Sequence, residues 1–93
     1  MKIKITAVGT LAKKLPHGSE IVEGQKFTIQ KVLDTLVHKY GKELMKELFN
    51  DGKIKNEISV LMNGRNVNTL DDKFNTYLKD GDELIITAYI TGG

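Results

Sequence analysis

Residue types that could do chemistry are concentrated at one place. Thr91-Gly92-Gly93 follows the apolar run Leu84-Ile85-Ile86-Thr87-Ala88-Tyr89-Ile90. A carboxylate on Gly93 is a poor acyl donor until it is activated, for example as an acyl-adenylate. Activation would require the tail to reach into a partner's nucleotide site. Glycine has no Cβ to collide with channel walls or with an incoming nucleophile, and it takes any backbone angle. Three residues beyond Ile90 extend at most roughly 10–11 Å, enough to enter a pocket while the folded body docks outside. The expectation is a folded body over residues 1–90 and a flexible tail over 91–93. Gly93 is the reactive group, and Gly92 and Thr91 give reach. Tyr89 and Ile90 are expected to contact the partner, because aromatic residues often anchor such interfaces.

The other candidates carry less. His38 falls on the polar face of a helical pattern and His17 sits in a turn, and neither has a partner at metal-ligand or triad spacing. Asp71-Asp72 and the Asp80/Asp82 pair lack the spacing of a calcium loop and are expected to cap turns. The chain has no cysteine, which excludes disulfides, thiolate nucleophiles and Cys-ligated metals. No glycine-rich phosphate loop precedes a helix. Nothing supplies a nucleophile, a base and an orienting group together, so the protein is expected to be acted upon and not to be an enzyme. No bound metal or cofactor is expected. Lys2, Lys4, Lys13 and Lys14 form an acid-free start, but four lysines spread over a strand and a loop read as a solvated surface. Aromatic residues are 6% and are not interleaved with lysines, which argues against a nucleic-acid partner.

The elements that would position the tail are legible from periodicity. Ile3, Ile5 and Ala7 alternate with Lys2, Lys4 and Thr6, a half-buried strand. Gly9 to Gly18 carries turn chemistry, and residues 20–23 form a short second strand. Ile29, Val32, Leu33, Leu36, Val37 and Tyr40 share one face of a helix, with Thr28 as N-cap and Gly41 at its C-terminal end. Lys42 to Phe49 is a second short helix, with Leu44, Leu48 and Met45 as inward candidates, stopped by Asn50-Asp51-Gly52. Residues 58–62 form a strand, Asn63-Gly64 a tight hairpin turn, and residues 65–67 a short return strand. Leu70, Phe74 and Leu78 suggest a helical turn. Residues 83–90 form the last strand, whose run Leu84-Ile85-Ile86 is apolar on both faces and so suits a central position. Two strands, a long helix and three strands give an α+β fold, a sheet of about five strands covered by one long helix.

Size and composition agree. The 93 residues are 40% hydrophobic and 28% charged with net charge +2, ordinary for one soluble domain. No apolar run approaches the ~20 residues that span a bilayer. No signal-peptide pattern is present, so a cytoplasmic location without membrane association is the expectation.

Taken together, the order of elements, the hairpin "VLMNGRNV" and the ending "LKDGDELIITAYITGG" resemble the MoaD/ThiS family of ubiquitin-like β-grasp sulfur carriers. The resemblance covers the whole chain, most specifically from Ser59 to Val67 and from Leu78 to Gly93. It implies a mixed sheet with the first and last strands parallel at its centre. It also implies that an adenylating enzyme activates the Gly93 carboxylate with ATP. A sulfur donor then makes a thiocarboxylate, which a sulfur-accepting synthase consumes. Members serving molybdopterin synthesis commonly carry two prolines near the end of the last strand, where this chain has Ala88-Tyr89. Molybdopterin or tungstopterin, thiamine and cysteine pathways therefore all stay open. Two alternatives also stand: a ubiquitin-like modifier joined through Gly93 to a lysine, and a β-grasp binding module with an inert tail.

Overall fold

A computed structural model describes residues 1–15 and 18–88. Strand β1 is Lys2–Val8, with Ile3, Ile5 and Ala7 buried and Lys2, Lys4 and Val8 exposed, as the alternation requires. A 3-10 helix over Gly9–Lys14 follows, so the stretch with turn chemistry is partly helical and buries Leu11. Strand β2 is Ser19–Glu23 and runs antiparallel to β1.

Helix α1, Ile29–Tyr40, has the expected bounds. The Thr28 side chain accepts a hydrogen bond from the Lys31 N–H at 3.1 Å, which satisfies one of the donors a helix start leaves open. Gly41, at φ 82°, ends the helix and donates to the Val37 carbonyl at 2.7 Å. Ile29, Val32, Leu33 and Leu36 are buried, whereas Val37 and Tyr40 are half-buried at the flank of the stripe. Four buried aliphatic side chains at ~1.5–3 kcal/mol each make this helix the main cover of the core. The Phe27 ring lies over Gly24, where an added Cβ would come within 2.5 Å of it, so Gly24 leaves room for a core aromatic.

Helix α2 is Lys42–Leu48 and buries Leu44 and Leu48. Met45 does not turn inward and is 45% exposed. The segment after α2 does more than end it. Phe49–Asn50 and Lys53–Ile54 pair as a small antiparallel hairpin, β3 and β4, around Asp51 and Gly52 at φ 54° and 76°. Strand β5, Ile58–Met62, turns through Asn63 and Gly64 (φ 49° and 87°) into β6, Arg65–Asn66. The return strand is thus one residue shorter than expected, because Val67 begins a 3-10 turn, Val67–Thr69. A second such turn, Lys73–Asn75, replaces the single helical turn. The described part of the last strand, β7, is Glu83–Ala88, and Tyr89 and Ile90 lie outside the described residues.

The main sheet has the order β2-β1-β7-β5-β6. Strands β1 and β7 are parallel neighbours at its centre, and β5 flanks β7 antiparallel. Leu84 and Ile86 are buried and Ile85 is half-buried, which fits the two-sided apolar run. This is the α+β, β-grasp arrangement. The Asp80/Asp82 pair does cap a turn: Asp80 accepts from the Lys2 N–H at 2.7 Å, and Asp82 accepts from the Lys79 N–H at 2.8 Å and from the Asn63 amide at 3.0 Å. These bonds tie the turn before β7 to the start of β1 and to the β5–β6 hairpin.

One ionic cluster joins the edge strand to the helix end. A single oxygen of Glu20 on β2 accepts from Lys39 Nζ at 2.7 Å and from the Tyr40 hydroxyl. The bond from Lys39, then that from Tyr40, holds the Glu20 carboxyl below its ordinary range, while Glu20 raises the titration of both partners.

Two outcomes follow. Leu36→Ala opens a cavity under α1 and is expected to lower stability by ~2–5 kcal/mol, whereas His38→Ala on the exposed face changes it by less than about 0.5 kcal/mol. Denaturant melts of the two variants check the assigned face, and equal losses would refute it. For Glu20 the folded carboxyl titrates below the unfolded one, so its contribution is full above the unfolded value and is lost as pH falls through the folded value. Wild type should exceed Glu20→Gln in stability at about pH 7, and the gap should narrow as pH falls through the folded titration of Glu20. A gap that does not change with pH in parallel melts would show that the carboxylate charge plays no part.

Candidate functional site

The route to the tail is set by β7, because the tail can only begin where the central strand ends. Ala88 is the last described residue on that route. It pairs with Ile58 of β5, and Thr87 beside it pairs with Val8 of β1. The strand is therefore held on both sides up to Thr87 and by β5 at Ala88.

Gly9 closes one side of this exit. It follows β1 at φ 81°, in the left-handed region that favours glycine. A Cβ built on it would lie 2.8 Å from the Ala88 carbonyl oxygen, closer than real Cβ atoms come. The backbone of the 3-10 segment thus sits directly against the last described peptide of β7, and any side chain at position 9 would push the exit aside. In the sequence Gly9 is only one of several turn glycines. Its role depends on the β1–β7 register, which no local pattern displays.

The sheet face opposite α1 has an apolar band leading to the same end. Ile85 pairs with Thr6 on one side and with Leu61 on the other, and Ile85 and Leu61 are half-buried. Val8 is 48% exposed, beside Thr87. Salt bridges Lys2–Glu23 at 3.5 Å and Lys4–Glu83 at 3.9 Å border it at the opposite end of β1. Such a face offers contact area and no reactive group.

The residues expected to carry the chemistry, Gly93, Gly92 and Thr91, and the expected contact residues Tyr89 and Ile90, lie outside the described residues, as does His17. His38 is exposed on α1. Among the described residues no group of three His, Cys, Asp or Glu side chains could hold a metal ion. No described helix is long and apolar enough to cross a membrane.

Comparison with known proteins agrees with this geometry. The model of the ThiS family matches residues 5–93. A candidate sulfur carrier protein of Archaeoglobus fulgidus is 31% identical over 83 residues, 89% of this chain and 93% of that protein. The solution structure of small archaeal modifier protein 1 from Methanosarcina acetivorans superposes with a TM-score of 0.82 at 27% identity, covering 99% of this chain and 96% of that one. A chain of the Amycolatopsis orientalis BexX/CysO complex shares the fold, with a TM-score of 0.73 at 22% identity over 98% of this chain and 99% of that one.

The Gly9 contact can be measured without any partner. Gly52 has a similar φ of 76° but open space where its Cβ would be, so Gly52→Ala carries backbone strain alone, about 1–3 kcal/mol. Gly9→Ala should destabilise more than Gly52→Ala and should shift the amide NMR signals of Thr87 and Ala88. Equal losses, with those two amides unmoved, would show that Gly9 does not hold the exit.

Proposed function

The chain belongs to the ThiS family, and on that premise we propose that it is a sulfur carrier working through a Gly93 carboxylate. The observation that carries this reading is the span of the family match, which runs through Gly92 and Gly93. The 31% identical candidate sulfur carrier supports it.

In this mechanism a Gly93 carboxylate oxygen attacks the α-phosphorus of ATP held by an adenylating enzyme. Pyrophosphate leaves and an acyl-adenylate forms. The nucleophilic sulfur of a sulfide donor attacks the acyl carbon and AMP departs, leaving a thiocarboxylate. A sulfur-accepting synthase in cofactor biosynthesis then takes the sulfur, and water restores the carboxylate. The carrier contributes no acid or base to these steps. Its share is placement: the body docks, with Tyr89 and Ile90 as contact residues, and Thr91, Gly92 and Gly93 enter the nucleotide site. The small archaeal modifier, 27% identical over nearly the whole chain, supports a second reading. There the same activated Gly93 ends as an amide on a lysine.

Intact mass separates the fates. After incubation with the adenylating enzyme of its own organism, ATP and sulfide, the protein should exchange one oxygen for sulfur at Gly93. Mass gained by joining to a lysine would indicate the modifier. Deleting Gly93 should abolish ATP-dependent activation and leave the melting temperature within about 2 °C, since a terminal glycine buries almost nothing. If wild type is neither adenylated nor conjugated, the tail is inert and the carrier reading falls.

A further inference from the structure

A cleft of about 730 Å³ opens beside α2 and the β3–β4 hairpin. Half-buried Phe49 and Ile54 line it together with Lys46, Lys53 and Lys55, while Glu57 is its one carboxylate. Three lysines outside the cleft have acidic partners, in Lys2–Glu23, Lys4–Glu83 and Lys39–Glu20. None of the three cleft lysines makes an ion pair or a side-chain hydrogen bond among the described residues. Three lysines against the one carboxylate of Glu57, around an apolar floor, leave a local excess of positive charge on a chain whose net charge is only +2.

The cleft also adjoins the exit of the tail. Its wall runs through Lys55 and Glu57 directly into Ile58, the residue paired with Ala88. The loop is pinned there, with Lys55 N–H on the Leu48 carbonyl at 2.9 Å and Ile58 N–H on the Lys55 carbonyl at 3.0 Å. A body that docks to present its tail must touch its partner around this end.

We propose that this cleft receives an acidic segment of the activating enzyme that carries one aliphatic or aromatic anchor, the carboxylates meeting Lys46, Lys53 and Lys55 and the anchor covering Phe49 and Ile54. The proposal rests on the adenylation reading above. Charge complementarity of this kind governs encounter and specificity, and the apolar anchor governs residence. Nucleic acid suits the cleft less well. Among the described residues its only aromatic ring is half-buried and it has no arginine, and Glu57 would face the phosphates.

The test uses the full chain and the adenylating enzyme of its own organism, with pyrophosphate release as the readout. The triple variant Lys46→Glu, Lys53→Glu, Lys55→Glu should raise KM for the carrier about tenfold or more, keep kcat within about twofold, and lose the salt dependence of KM. The control Lys2→Glu, Lys79→Glu should leave both constants unchanged. An unchanged KM in the triple variant, with its fold intact by circular dichroism, overturns the proposal. A wild-type chain that is not adenylated at all refutes the functional reading instead. The cleft is then judged by NMR titration of labelled wild type with a synthetic acidic peptide carrying one central leucine. Shifts confined to residues 46–57 and absent in the triple variant support an acidic-peptide site. No shifts, shifts elsewhere, or a stronger response to a single-stranded oligouridine overturn it.

Discussion

Everything in this fold hangs on the parallel pairing of β1 with β7. It joins Lys4–Val8 to Glu83–Thr87, segments nearly the whole chain apart, at the centre of the sheet. The residues that seal the core beneath α1, Ile3, Ile5, Leu84 and Ile86, come from these two strands. The β1–β2 pair and the β7–β5–β6 strands become one sheet only when β1 and β7 meet. Closing so long a loop costs entropy before any contact is gained, so this pairing is also expected to dominate the folding barrier. The polar bonds around Asp80 and Asp82 lower that cost locally, because they fix the turn before β7 against the backbone of Lys2.

Legibility from sequence follows the length of each pattern. The stripe of α1 repeats over three turns, and the alternation of β1 over seven residues, so both stand out. Asn63-Gly64 is legible because a hairpin turn needs two residues that tolerate positive φ. The same chemistry at Asp51-Gly52 signals only a helix stop, since the strands it joins have two residues each and show no period. Met45 fails for a related reason: a helix of seven residues has room for only two well-buried positions, which Leu44 and Leu48 fill.

The candidate site is legible to a different degree. The tail residues stand out by composition, and Ala88 at the centre of the sheet agrees with the two-sided apolar run before it. Gly9 does not stand out, because its use arises from a contact 79 positions away in sequence. The lysines of the cleft look like ordinary surface charges until the β3–β4 hairpin folds Lys53 and Lys55 toward Lys46.

The placement of β7 also has a mechanical meaning. Its ladder bonds to β1 and β5 run across the strand axis, up to its last described residues Thr87 and Ala88. A pull along the axis of β7 therefore loads both ladders in shear, and many bonds must fail together. An edge strand of a hairpin, pulled from its open end, would instead peel one bond at a time. A strand gripped at Ala88 is thus anchored like a rope held on two sides, and traction along it is borne by the whole sheet.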